Sequence, residues 1–139
     1  MSSFVTAMVL VGLLAVDASP PVAAPPTLVE RLERTLQSDD KPLALVTQIY
    51  INRGDEAKFE AAAAKAAKVS LAEEGCLAYE FHRDLEKPDH YTLIERWTGL
   101  APLRKHLQKR HTKEVQALFA EVSTTPRTTD IFAPADGKK

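Results

Sequence analysis

The stretch that decides the fold is residues 73–111, EEGCLAYEFHRDLEKPDHYTLIERWTGLAPLRKHLQKRH. In two parts of it, Cys76–Asp84 and His90–Trp97, apolar and polar side chains alternate, which is the pattern of strands with one buried face. The polar run Glu86-Lys87-Pro88-Asp89 between them predicts a hairpin loop. The stretch is therefore predicted to contain an antiparallel hairpin that ends at Trp97, the only tryptophan of the chain.

The residues after the hairpin predict a helix and a last strand. Thr98 can cap the helix, Pro102 suits its first turn, and a kink is expected near His111. The run Thr124-Thr125-Pro126 ends this helix, and Arg127–Ala133 is then predicted to form a short strand.

Two elements are also predicted before the hairpin. Leu43–Asn52 alternates like a strand, with Thr47 on the face that carries its leucines and isoleucines. Glu56–Glu74 is rich in alanine and predicts a helix, which Gly75 can end because glycine tolerates a left-handed backbone. The order of elements is therefore β-α-β-β-α-β.

This order predicts an α+β fold of the ferredoxin-like kind, with one antiparallel sheet and two helices on one face. The other face of the sheet would be bare, and an exposed apolar patch usually marks a partner. A homodimer through the open sheet face is therefore expected. The residues predicted on that face are Val46, Gln48, Tyr50, Ala78, Ile94 and Phe132.

A leader is predicted before this domain. Phe4–Val16 is an apolar run too short to span a bilayer comfortably, but it fits the core of a signal peptide. Residues 1–18 are therefore expected to be a signal peptide, and the protein to be periplasmic or secreted. With the leader cleaved, no stable membrane span is expected. With the leader retained, the protein would be cytoplasmic or anchored at its N-terminus.

The rest of the chain divides into three parts. Residues 19–41 form a proline-rich linker and a short amphipathic helix, which is predicted from Thr27 to Gln37. Residues 42–134 form the folded domain, and residues 135–139 form a tail.

Charge and cysteine content exclude several classes of function. The formal net charge is −1 and no basic stripe is visible, so nucleic acid is not an expected partner. Cys76 is the single cysteine, which excludes an internal disulfide and a multi-cysteine metal site. No metal site is expected either, because the five-residue spacing of His106 and His111 puts their rings on different sides of a helical turn.

The domain contains a spaced set of short motifs: Glu74-Gly75-Cys76-Leu77-x-Tyr79-Glu80, Arg83-Asp84, Glu95-Arg96-Trp97, His106-Leu107 and His111. This set resembles the antibiotic biosynthesis monooxygenase family, and the resemblance covers about 90 residues, nearly the whole predicted domain. It implies a dimeric α+β barrel, and the family includes cofactor-independent monooxygenases of quinols and polycyclic phenols as well as haem-degrading enzymes.

One departure from the family concerns haem. The haem-degrading branch uses an asparagine on the first strand, and the matching position here is Thr47. Asn52 belongs to the opposite face by alternation, although a shift of the strand by one or two residues would change the match. Haem is therefore a disfavoured alternative, and no cofactor is expected.

Oxygenation without a cofactor needs a dry apolar pocket, one base and donors for a developing oxyanion. His106 is the expected base, because only histidine titrates near pH 7 unperturbed. Trp97 is expected to form a stacking wall for a flat substrate. Tyr79 and Arg83 could donate to the oxyanion, and His111 and Thr47 are expected to line the pocket. The substrates would be a small aromatic compound and dioxygen.

Each of these residues also has a purely structural explanation. Trp97, Tyr79 and His111 could all be ordinary core residues, and His106 could be a helix-surface histidine. A second function therefore stays open, in which the same barrel binds a small ligand or only dimerises, without turnover. Fold alone does not choose between the two.

Overall fold

The computed structural model describes residues 24–36 and 38–135 of the chain. The predicted signal peptide lies outside the described residues, as do part of the linker and most of the tail. The elements are α1 (Leu28–Thr35), β1 (Leu43–Tyr50), α2 (Glu56–Leu71), β2 (Cys76–Arg83), β3 (His90–Trp97), α3 (Leu100–Gln108), α4 (Arg110–Val122) and β4 (Thr128–Phe132).

The four strands form one antiparallel sheet in the order β2-β3-β1-β4. This confirms the ferredoxin-like α+β fold. The alternation of β1 and β3 is also as predicted, because Leu45 and Thr47 are buried along with Leu93, Glu95 and Trp97. The strand period of two therefore determined which side chains of these two strands point at the helices.

β2 departs from simple alternation at its start. Cys76 pairs with Trp97 and Ala78 pairs with Arg96, so one residue, Leu77, bulges out of the ladder. Leu77 is 41% exposed, whereas alternation had placed it on the same face as Tyr79. The bulge also corrects the prediction for Ala78, which is buried rather than part of an open patch.

The single helix predicted between Thr98 and Thr124 is two helices in the structure. Lys109 has an extended backbone, with φ −68° and ψ 147°, and it separates α3 from α4. The kink expected near His111 is therefore a full break. It changes the direction of the chain between His106 and His111, which matters for the site described below.

α1 lies on the domain as an additional element. Its start is fixed by a capping box, in which the Thr27 hydroxyl accepts from the Glu30 amide and the Glu30 carboxylate accepts from the Thr27 amide. Its Leu32 side chain is fully buried in the core of the domain. A helix thus lies where the amphipathic helix was predicted, and its apolar side packs against the core of the domain.

The outer face of the sheet has no helix on it among the described residues. Tyr50 is 39% exposed and Phe132 is 51% exposed, while Val46, Gln48 and Ile94 are half-buried. Within residues 24–36 and 38–135, no helix has the length and apolar character that crossing a membrane requires.

Candidate active site

A cavity of about 400 Å³ lies between the inner face of the sheet and the helices. Its walls combine apolar side chains, among them Leu93 and Phe119, with a comparable number of polar ones. A pocket of this size in which apolar walls and polar groups meet is typical of small-molecule sites. We call it the Glu95 cavity, and its polar lining residues are Thr27, Thr47, Tyr79, Glu95, Gln116, Arg127 and Thr129.

Glu95 is a buried carboxyl group in the lining of this cavity, and its pKa is strongly shifted. Its side chain points inward from β3 and is only 8% exposed. The Trp97 indole N–H donates to its Oε2 at 3.1 Å. Burial raises the pKa of Glu95 to about 7; the Trp97 hydrogen bond opposes this rise, and the negative charge of Glu73 adds to it. The carboxyl group can therefore accept and release a proton at neutral pH.

The shifted carboxyl predicts a pH-dependent stability. A pKa raised from 4.5 to about 7 corresponds to about 3 kcal/mol between the two forms of the group. The stability that Glu95 contributes is fully present below pH 4.5 and is lost as the pH rises through 7. Glu95→Gln cannot ionise, so it should gain up to about 3 kcal/mol over the wild type by pH 8 and nothing near pH 4.5.

Urea unfolding of the wild type and of Glu95→Gln from pH 4.5 to pH 8 measures the difference in their free energies of unfolding. Contributions from all other titrating groups are common to both proteins and cancel in this difference. A difference that stays constant from pH 4.5 to pH 8 would show that Glu95 is not the shifted group.

Tyr79 is the neighbour of Glu95 on β2. The two residues face each other in the β2–β3 register, and Tyr79 is 4% exposed. Burial and the negative charge of Glu95 raise the pKa of Tyr79, so its hydroxyl keeps its proton and can act as a donor. Thr47 lies across the same cavity, and its hydroxyl is 2.9 Å from that of Thr129.

His106 and Trp97 lie behind the lining of the cavity. Trp97 is fully buried, and its ring centroid is 4.8 Å from that of His106, which is 2% exposed. His106 Nδ1 is 3.0 Å from Glu73 Oε1, and burial lowers the pKa of the imidazole although Glu73 opposes this. The role of His106 as a base stays a prediction, and the geometry supplies Glu95 as a second candidate.

The Glu73 carboxylate contacts three basic side chains on either side of the break between α3 and α4. His106 Nδ1 and His111 Nε2 lie 3.0 and 2.7 Å from its Oε1, and Lys109 Nζ lies 3.0 Å from its Oε2. Burial opposes ionisation of Glu73, yet the hydrogen bonds from His106 and Lys109 hold its pKa below the usual value. The network neutralises a carboxylate that is only 6% exposed.

The same three side chains have the composition of a divalent metal site. The donor atoms of Glu73, His106 and His111 lie within 4.8 Å of one another. The spacing argument against such a cluster was wrong, because the break at Lys109 turns both rings toward one carboxylate. In the structure both Glu73 oxygens accept from protein groups. The absence of a functional metal stays a prediction.

Two predicted pocket residues lie elsewhere. Arg83 is exposed, donates to the Pro88 carbonyl at 3.0 Å and to Glu60 at 3.3 Å, and borders a separate cavity beside β2. His111 borders a small cavity of about 180 Å³ between α2 and α4. The structure thus brings Thr47 and Tyr79 into one cavity and connects Trp97 to it through Glu95.

Sequence reasoning missed Glu95 and Arg127 as site residues. For Glu95 a signal existed, because alternation placed a carboxylate between Leu93 and Trp97 on the buried face of β3. Arg127 gave no comparable signal: it was predicted to begin the last strand, whereas β4 begins at Thr128, and strand alternation does not predict which cavity an arginine before the strand borders.

Comparison with known proteins identifies the family of the chain. The model of the antibiotic biosynthesis monooxygenase family matches residues 42–118, more than half of the chain. The chain belongs to this family. The matched region contains the antibiotic biosynthesis monooxygenase core from β1 into α4, including Glu95, Trp97 and His106. No curated protein matches the sequence.

Solved structures share the fold of this family member at low sequence identity. A Nitrosomonas europaea protein, provisionally named an antibiotic biosynthesis monooxygenase, superposes with a TM-score of 0.68 at 14% identity; the match covers 75% of this chain and 100% of that one. A conserved Bacteroides thetaiotaomicron protein of unknown function gives a TM-score of 0.64 at 22% identity, with coverages of 68% and 99%. A conserved Methanosarcina mazei protein gives a TM-score of 0.64 at 23% identity, and the match covers 68% of this chain and 93% of that one. These likenesses show the fold alone.

Proposed function

We propose that this family member is a cofactor-independent monooxygenase that oxidises a quinol or a related electron-rich phenol with dioxygen in the Glu95 cavity. The observation that carries the proposal is the Glu95 carboxyl, which lines the cavity and whose pKa is raised to about 7 by burial. A base of this pKa is well matched to proton removal at neutral pH. Family membership supports the reaction class.

The proposed reaction starts with a proton transfer. The Glu95 carboxylate takes the proton of a substrate hydroxyl, and the resulting anion passes one electron to dioxygen. The ring radical and superoxide then combine, which forms a carbon–oxygen bond. The ring carbon loses its hydrogen as the oxygen–oxygen bond breaks, so one oxygen stays as a carbonyl and the other leaves as water. Substrate and dioxygen thus yield quinone and water, and no other reductant is needed.

The residues around Glu95 divide the remaining tasks. Tyr79 keeps its proton and can donate to the oxygen that becomes negative. Trp97 holds one Glu95 oxygen at 3.1 Å and fixes the orientation of the carboxyl. The His106 ring packs against Trp97 at a tilt of 42° and is tied to Glu73, so it positions the indole from behind. Leu93 and Phe119 provide the apolar walls.

A homodimer through the outer face of the sheet is part of the proposal. Tyr50 and Phe132 expose large apolar surfaces there, and a second copy of the chain would cover them. Light scattering at micromolar concentration should give twice the mass of one chain. Phe132→Glu should shift the mass toward that of one chain, whereas Leu85→Glu, on an exposed loop, serves as the matched control. A monomeric wild type would contradict the dimer.

The test of the proposed function is oxygen uptake by the purified protein with a panel of quinols and fused-ring phenols. The buffer should be free of metal and haem, so that uptake above the autoxidation rate is due to the protein. Uptake with at least one compound is the expected result. If none is oxidised but one binds, the same cavity serves as a ligand-binding site without turnover. A parallel haem titration tests the alternative cofactor.

A further inference from the structure

We propose that α1 forms one wall of the Glu95 cavity and sets the size of the ring system that the protein accepts. This inference rests on the proposed function, since it assigns the substrate to that cavity. α1 lies before residue 42, where the matched family region begins. The wall is therefore supplied by a segment outside the matched family region.

The contacts of α1 place its first turn at the cavity. Thr27, Leu28 and Val29 line it together with Glu95 and Tyr79 from the sheet. Leu28 and Val29 are half-buried, so they are in contact with the domain and still border open space. Side chains of the N-terminal segment and the candidate base thus border the same volume.

The opposite part of α1 fixes this wall in place. Leu32 is fully buried in the core, and Leu36 packs against it. Arg104 of α3 binds Glu33 at 2.9 Å and Asp39 at 2.8 Å, so one guanidinium ties both the helix and the segment after it.

A close backbone approach adds a further tie. The Leu100 amide donates to the Asp39 carbonyl at 2.9 Å. A Cβ at Gly99 would collide with that same carbonyl oxygen, so glycine is required for the segment to lie against α3. A wall held by a buried leucine, two ion pairs and a backbone hydrogen bond keeps a defined cavity boundary.

The consequence is a size limit on the substrate. A flat phenol whose hydroxyl reaches Glu95 extends into a space that Leu28 and Val29 close. Removing methyl groups there should admit larger ring systems and weaken contacts with small ones. One missing methylene in an apolar pocket typically changes discrimination by about 10- to 200-fold.

The test compares Leu28→Ala, which enlarges the cavity, and Val29→Phe, which fills it, with the wild type in the full chain. Quinols of one, two and three fused rings serve as substrates, and kcat/KM is measured for each. Leu28→Ala should raise the three-ring to one-ring ratio of kcat/KM by about tenfold or more, and Val29→Phe should lower it. Leu36→Ala is the matched control, because Leu36 packs on the core without lining the cavity.

A binding measurement separates this inference from the proposed function. Fused-ring hydrocarbons without hydroxyls cannot be oxidised by this route, and their binding is followed by quenching of Trp97, the sole tryptophan. A shift of Kd toward larger rings in Leu28→Ala supports the wall even where no quinol turns over. Equal changes for all ring sizes, or the same shift in Leu36→Ala, would overturn it.

Discussion

Glu95→Gln should lower kcat by about 10²- to 10⁴-fold, because this is the contribution of a positioned general base. The amide keeps the size of the carboxyl and can still accept from the Trp97 indole, so the cavity retains its shape. What is lost is a proton acceptor inside an apolar site. Oxygen uptake with the best quinol of the panel measures the effect.

The pH profile of the wild type adds a second readout. Since the base acts as the carboxylate, kcat/KM should rise with pH through about 7 and then level off. Glu80→Gln is a matched control, because Glu80 is an exposed carboxylate on the neighbouring strand. Full activity in Glu95→Gln together with its loss in His106→Gln would assign the base to the histidine.

Trp97→Ala should lower the free energy of unfolding by about 3–5 kcal/mol, the usual cost of truncating a buried large aromatic side chain. Trp97 is fully buried, packs against the His106 ring and is the last inward-facing residue of β3. Its loss also takes away the indole hydrogen bond of Glu95, which leaves a buried carboxyl with one donor fewer. Binding of flat aromatic compounds should weaken because the support of the cavity wall is lost.

Urea unfolding followed by circular dichroism measures this effect without the missing fluorophore. Trp97→Phe is the companion variant: it removes the indole N–H but keeps an aromatic ring, so it should cost less stability while still perturbing the pKa of Glu95. An unchanged unfolding midpoint and full ligand binding in Trp97→Ala would contradict the role assigned to this residue.

The residues of the hairpin show how much of the site could be predicted from the sequence. Strand alternation is a local property, so it correctly put Tyr79, Glu95 and Trp97 on the buried face. It failed at Leu77, because a bulge depends on how two strands pair and not on the pattern within one of them. The family was predicted from the spaced motifs and is confirmed by the match to residues 42–118.

The sequence by itself determined the order of the strands, the fold class, the capped N-terminal helix and the family, since each depends on periodicity, turn residues or the spacing of motifs along the chain. The tertiary structure alone decided that His106 lies behind Trp97, that Glu73 contacts two histidines and a lysine, and that burial raises the pKa of Glu95. Desolvation depends on every group packed around a carboxyl. Those groups come from strands and helices far apart in sequence, which only the folded chain brings together.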